Sequence, residues 1–486
     1  MTGFVTSVYD LGCFAGAAGT LFIGEKLGRK RMLVLGTIVM AMGIVVQTGA
    51  TRMTHLLWGR FIAGLGNGAN TATAPVWDVE TSTQEEKGKA VVKEMMVNVL
   101  GLVAANVITL GCSRIGTEAQ WRFPLGIQLL YVALILLLVP LLPESPRWLC
   151  GRGRYEEAEA VLEVLSVENV QVELQEIRES VRKEQEVQVS WKYVFKGGTA
   201  TRRMLLGMGL QVAYVQRFSI IASSILPANI GPFRQQLTGI NVLCYYLPLV
   251  LTKSVGLSEL TSRLLATANS ISFMCATACS LFFIERFGRR PVLMYMAAAQ
   301  SLAFFGIATS TEIGHENGAH IPGIIATVFI SLYFIAFGFG WNATPWLYPA
   351  EVNSLKFRTK GAALATSCNW FFNYLVVQTT PIGIHYLKWA LYTIYAVLNA
   401  CFVPLIYLFI IETAGKSLEQ IDRWFAANPS WFIHKSTGEG YAVVEEIEGL
   451  ASPHFKDVDV ANAGHEERQG LWKIEDEDED EDNGGI

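Results

Sequence analysis

Apolar runs of about twenty residues recur along this chain, and nothing else in it constrains the fold as strongly. They fall at about 2–23, 32–50, 55–77, 89–111, 123–142, 204–211 joined to 235–255, 260–284, 292–309, 322–349, 361–387 and 390–411. Within hydrocarbon every backbone N–H and C=O needs an internal partner, so runs of this length span as helices. The expectation is an all-α membrane protein with roughly eleven spans in a lipid bilayer. Charge agrees: 17% of the residues are Asp, Glu, Lys or Arg, where a soluble domain carries about a quarter. The net charge of −5 says little about partners, because acids pile up at Glu475 to Asp482, which reads as a solvated, disordered tail. Most of the eight cysteines (Cys13, Cys244, Cys275, Cys279, Cys368, Cys401) sit inside apolar runs and read as small buried residues. His55, His315, His320 and His385 show no metal spacing, so no metal is expected. Met1 to Ser7 lacks the basic start of a cleavable signal peptide.

Basic loops orient the spans. Lys26, Arg29, Lys30 and Arg31, then Arg286, Arg289 and Arg290, and Arg147, Arg152, Arg154, Arg202 and Arg203 in the long polar stretch 143–203, all fall on one side, read as cytoplasmic. The loop 310–321 then lies outside and the acidic tail inside. This parity puts Met1 outside with no span ahead of it.

Two repeats divide the chain. Gly24-Glu25-Lys26-Leu27-Gly28-Arg29-Lys30-Arg31 matches Ile284-Glu285-Arg286-Phe287-Gly288-Arg289-Arg290 in its acid, base, any residue, glycine and two bases. A positive loop alone needs only the orientation rule; the same spacing twice argues for duplicated halves. Pro75 to Glu80 followed by Lys87-Gly88 likewise resembles Pro345 to Glu351 followed by Arg358 to Gly361. The expected organisation is a bundle over 1–142, a linker over 143–203, a second bundle over 204–411 and a tail over 412–486. In the linker, Arg154 to Glu184 patterns as surface helices with Ala158, Val161, Leu162 and Leu165 as their apolar face.

The chemistry concentrates in Gln235-Gln236-Leu237-Thr238-Gly239-Ile240-Asn241, which opens an apolar run continuing through Tyr245, Tyr246 and Pro248. Amides in hydrocarbon need a cavity or a partner. Gln235, Gln236 and Asn241 share one broad side of a helix. Each offers donors and acceptors, which suits a neutral, hydroxyl-rich ligand; the alternative is helix–helix adhesion. Glu94 lies near the end of its run, where snorkelling and a proton or substrate role both remain open. Gly64 to Gly68 and Gly338 to Gly340 follow no strand, so they read as sites of close helix packing rather than dinucleotide loops. No Walker sequence and no nucleophile–base–orienter set occurs. The expectation is therefore no enzyme, no cofactor and no nucleic-acid partner.

Taken together, the chain resembles the sugar porter family of the major facilitator superfamily, most nearly its fungal sugar and polyol transporters. The matching residues are Glu25 to Lys30, Gly59-Arg60 with Pro75 and Glu80, Pro143 to Leu149, Gln235 to Asn241, Glu285 to Arg290, Trp341 to Glu351, and Asn369-Trp370 with Asn373. They run in family order over residues 1 to about 425. The resemblance implies two six-helix halves rocking around a central site. It implies a sugar or polyol held by Gln235, Gln236, Asn241, Trp346 (on a helix broken after Pro345), Asn369 and Asn373. Tyr245 and Tyr246 match the outer gate, with plain packing as the alternative. Glu25, Arg29, Arg60, Glu80, Glu144, Arg147, Glu285, Arg289, Glu351 and Arg358 match the family's cytoplasmic clamp, though exposed ion pairs are often worth under about 1 kcal/mol. Met95 stands beside Glu94 where the family commonly has Gln.

Two departures stand out. Family members open with a helix bearing a Gly-Tyr-Asp motif whose Asp couples protons. Here Met1 matches a point just before the second helix, and Tyr9-Asp10, next to Gly12, Gly16 and Gly19, belongs to that second helix. Second, Val212 to Phe233, roughly 22 residues with Pro227 and Pro232, interrupt a helix the family runs straight into Gln-Gln. They read as an intron translated in frame or as an extra loop. The expected function is transport of a sugar or polyol through the plasma membrane, by proton symport or facilitation. A membrane sugar sensor or an inactive product of a truncated gene model are the alternatives.

Overall fold

The computed structural model describes residues 2–82, 87–165, 169–186, 202–206, 208, 238–317, 320–353, 358–416, 420–421, 424–425 and 433. The segment 212–233, together with Gln235 and Gln236, lies outside the described residues. Among the described residues every regular element is helical. The first half contains α1 (Thr2–Leu27), α2 (Arg29–Thr48), α3 (Met53–Thr81), α4 (Lys87–Cys112), α5 (Ala119–Gly126) and α6 (Gln128–Leu138). The linker contributes α7 (Pro146–Gly151), α8 (Tyr155–Val164) and α9 (Val170–Glu186). The second half contains α10 (Ile240–Lys253), α11 (Glu259–Phe287), α12 (Arg289–Asn317), α13 (His320–Ala336), α14 (Thr344–Val352), α15 (Arg358–Tyr386) and α16 (Trp389–Phe409). Eight of the described helical stretches are long and apolar enough to cross a membrane. Their outer faces carry Met42, Val45, Val97, Leu137, Phe282, Leu302 and Ile324, exposed apolar side chains suited to lipid.

Small residues set how closely the helices approach. A Cβ at Gly12 or Gly16 of α1 would run into the α3 backbone at Phe61 and Leu65, and one at Gly64 or Gly68 of α3 would run into α1 at Tyr9 and Cys13. The two helices therefore touch backbone to backbone, where lipid supplies no hydrophobic drive and close packing must do so. Between α13 and α14 the helix widens into a π turn, Phe337–Trp341. The break thus precedes Pro345 rather than following it. Proline sits in the first turn of α14, where its missing N–H costs nothing.

The halves meet mainly where α1 packs on α15 and α4 on α11. On α1 the facing residues are Gly3, Ser7, Asp10, Phe14, Ala17, Leu21 and Glu25, each three or four positions from the next. They meet α15 in antiparallel order. Gly3 abuts Gln378 and Pro381, Phe14 stacks near Phe371 at 5.4 Å, and Ala17 and Leu21 pack with Ala363 and Trp370. A spacing close to the roughly 3.6 residues of a helical turn keeps these residues on one face of α1 along the contact.

Beneath the bundles α7, α8 and α9 close on their own core of Leu149, Cys150, Ala158, Leu162, Leu174, Ile177 and Val181. Beyond residue 412, where a tail is expected, some described residues pack against the second half. Ile421, Trp424, Phe425 and Ile433 are buried in the core of the second half. Arg202 stands 5.4 Å from the Trp424 ring and 5.1 Å from Phe425, and Arg203 4.4 Å from Phe425. Those cation–π contacts and the buried apolar side chains make these residues part of the fold.

Candidate functional site

At the end of the molecule that carries the basic loops, each half builds a cage around the first turn of a helix. Arg29 donates from Nε and Nη2 to the two Glu80 oxygens, each at 2.8 Å, and both side chains are almost fully buried. Glu144 accepts from the backbone N–H of Arg29 at 3.0 Å and of Lys30 at 3.2 Å, capping α2. Ser145 ties the two acids together, its hydroxyl donating to Glu80 at 2.6 Å. In the second half Arg289 pairs with Glu351 at 3.3 Å, and Glu412 accepts from the N–H of Arg289 at 2.9 Å and of Arg290 at 3.0 Å. Even the outer bonds match: Lys30 donates to the Pro140 carbonyl and Arg290 to that of Tyr407, both at 2.6 Å. Gly28 and Gly288 enter the cages with φ of 86° and 82°. A Cβ there would press on Glu144 Oε2 at 2.8 Å and Glu412 Oε2 at 2.5 Å, so both positions need glycine twice over.

The expected clamp is thus partly regrouped. Arg60 does not belong to it. It lies twenty residues before Glu80 on α3, about 30 Å at 1.5 Å per residue, donating to the Thr6 carbonyl at 3.1 Å beside the Tyr9 ring. Glu25 does reach across to the second half, meeting Lys360 at 3.5 Å on an exposed surface. Arg147 lies within electrostatic reach of Glu80. The side chains of Glu285 and Arg358 lie outside what the structure describes.

Between the halves runs a seam of polar contacts. Ser7 donates to Gln378 Oε1 at 2.6 Å. Tyr245 Oη and Asn373 Nδ2 donate to Asp10 Oδ1 at 3.2 and 3.3 Å. Trp370 Nε1 donates to Thr71 Oγ1 at 3.0 Å. Asp10 and Asn373 are buried. Of the expected sugar-facing residues, Asn241 and Asn369 are half-buried. Trp346 is half-buried in apolar clusters that join the halves, with Val79 and Val91 on one side and Met95 and Ile284 on the other. The two tyrosines separate: Tyr245 spans the seam, whereas Tyr246 turns inside its own half to the Val377 carbonyl at 2.9 Å. A cavity of about 500 Å³, lined by residues such as Leu249, Lys253, Ser310, His385 and Lys388, belongs to the second half and includes none of these candidates. Glu94 lies within electrostatic reach of Asp78 of α3, in the first half.

Sequence reasoning missed Glu412, although Glu412-Thr413 after the last run of the second half echoes Glu144-Ser145 after the last run of the first. It also missed Tyr333 and Asn399, which donate to the Thr238 carbonyl at 2.6 and 3.2 Å and so fix the turn leading into α10. Single polar residues inside other spans carry no signal of that kind.

Two matched helical bundles, caged at one end and joined by a buried polar seam, define a multi-pass membrane carrier. The model of the family described as "Sugar (and other) transporter" matches residues 1–231 and 226–425. The MFS-type transporter oryC of Aspergillus oryzae is 40% identical over 442 residues, covering 89% of this chain and 78% of that protein. Sugar transporter STL1 of Saccharomyces cerevisiae is 33% identical over 433 residues, covering 87% and 72%. Among solved structures, the proton:xylose symporter XylE bound to 6-bromo-6-deoxy-D-glucose superposes with a TM-score of 0.73 at 23% identity, covering 86% of this chain and 88% of that one; this likeness is one of fold. The chain belongs to the Sugar (and other) transporter family, and it is a transporter, not an enzyme.

Proposed function

We propose that this chain carries a sugar or polyol through the plasma membrane by alternating access, with proton symport. The observation that carries the reading is the seam of amides, hydroxyls and an indole N–H, gathered around the single carboxyl of Asp10, between two separable bundles. Such groups exchange hydrogen bonds with the hydroxyls of a neutral ligand at little desolvation cost. Gln235, Gln236, Asn241, Asn369 and Asn373 would bond the hydroxyls, with Trp346 packing against a C–H face. The twin cages at the cytoplasmic end, with Glu25 and Lys360 between them, would hold the inner side shut while the outer side opens. The names of two relatives, a sugar transporter and a proton:xylose symporter, point the same way.

The test is uptake of a radiolabelled sugar and polyol panel by cells lacking their own hexose carriers. Gln236→Ala should weaken the best substrate roughly fivefold, as expected for about 1 kcal/mol of lost hydrogen bonding, at unchanged surface expression. Uptake of no panel member, or a variant indistinguishable from the parent, would count against a sugar site at these amides.

The two family matches overlap at residues 226–231, inside 212–233. This supports reading that segment as an interruption of the repeat, in keeping with a retained intron. Mature transcripts sequenced across it should then lack the segment; its presence in every message would refute the reading.

A further inference from the structure

We infer that Asp10 of α1 and Asn373 of α15 together form a proton-binding site that straddles the two halves. The inference begins with an imbalance of donors and acceptors. Asn373 Nδ2 donates to Asp10 Oδ1 at 3.3 Å, and Tyr245 Oη donates to the same oxygen at 3.2 Å. That leaves Asp10 Oδ2 and Asn373 Oδ1, both buried and, among the described residues, both without a hydrogen bond. These two atoms are acceptors on two groups already in contact. Two acceptors cannot satisfy each other, and leaving both unmatched in a buried site is costly.

A single proton from the aqueous phase resolves both. Bound to Asp10 Oδ2, it turns the carboxylate into an acid whose O–H donates to Asn373 Oδ1, while the Asn373 amide goes on donating to Oδ1. Acid and amide then form a closed pair of two hydrogen bonds, one from each half. Loss of the proton leaves the first bond, removes the second and restores a carboxylate.

The surroundings permit both states. From α3, Arg60 lies within electrostatic reach of Asp10, and its charge favours the carboxylate. From α10, the Tyr245 hydroxyl donates to Asp10, and Tyr246 lies nearby with its own hydroxyl on Val377. On α1 itself Tyr9 and Cys13 flank Asp10, and Cys13 Sγ accepts from Asn67 at 3.6 Å. Arg60 is therefore the one cation among these neighbours, and release of the proton leaves a carboxylate facing that charge. Because the bonds join α1 to α15, proton occupancy would bias how firmly the halves hold together. That consequence rests on the carrier reading; proton binding itself does not.

The test uses the full chain, purified in nanodiscs without sugar, so it stands apart from any uptake assay. Acid-minus-alkaline infrared difference spectra should contain a protonated-carboxyl C=O band that is absent from Asp10→Asn. The asparagine can donate to Asn373 Oδ1 as the acid would, so this variant should keep the parent's melting temperature. Tyr245→Phe should keep the band and move it to higher frequency, because one donor to the carbonyl oxygen is gone. If Asp10→Asn does not fold, Tyr245→Phe decides alone. A difference spectrum unchanged by Asp10→Asn, or a band that Tyr245→Phe leaves in place, overturns the inference and leaves these acceptors to a substrate hydroxyl.

Discussion

Glu412 does for α12 what Glu144 does for α2: each takes up the first N–H groups of a helix and sits against a glycine in the left-handed region. Neither residue's role follows from charge pairing alone, which is why a sequence reading groups Glu144 with arginine side chains and passes over Glu412. Gly288→Ala is expected to cost upwards of about 1–2 kcal/mol, since an L side chain resists that backbone region and its Cβ would press on the Glu412 carboxylate. A lower melting temperature in detergent checks this. The Arg29–Glu80 pair belongs to the same scale. It is buried and bidentate, so removing one partner strands the other. Glu80→Gln should destabilise by about 3 kcal/mol or more, whereas Lys360→Ala, which breaks the exposed pair with Glu25, should cost under about 1 kcal/mol. The same thermal melts separate the two.

Among elements, the contact between α1 and α15 decides how the halves meet. Its centre is a stripe of small and apolar residues in which Ala17 is fully buried. Ala17→Phe should therefore overpack the contact by about 1–3 kcal/mol, lowering the melting temperature. Val45→Ala on the exposed face of α2 should leave it nearly unchanged. Most of the helices were legible in the sequence, because a run of twenty apolar residues has one stable form in lipid. The glycine-bearing turns were legible too, since the motif occurs twice. The place of the break before α14 was not: Pro345 marks a helix start as readily as a helix end, and only the π turn at Phe337–Trp341 shows which. Nor was the pairing of α1 with α15. The spacing of its contact face, three or four residues at each step, is present in α1, but a single sequence does not say which of several spans it faces. Asp10 illustrates the cost, since its neighbours along the chain mark its helix and say nothing of the partners it meets across the seam.

For the whole molecule, alternating access requires the seam to open. Ser7 and Gln378 touch across it at 2.6 Å, near the end of α1 farthest from the cages. A double variant, Ser7→Cys with Gln378→Cys, bridged by a short bifunctional thiol reagent, should hold the halves together there. Uptake should fall to background on bridging and return when a cleavable bridge is cut, with each single variant unaffected by the reagent. The regions beyond the last span matter in a different way. Arg202 and Arg203, just ahead of the second bundle, are clasped by Trp424 and Phe425 from well past its final helix. A fluorescent reporter or affinity tag grafted directly after Phe409 would pull that clasp apart. One appended downstream of Ile433 leaves it whole, and that is where a fusion for localisation or purification should be made.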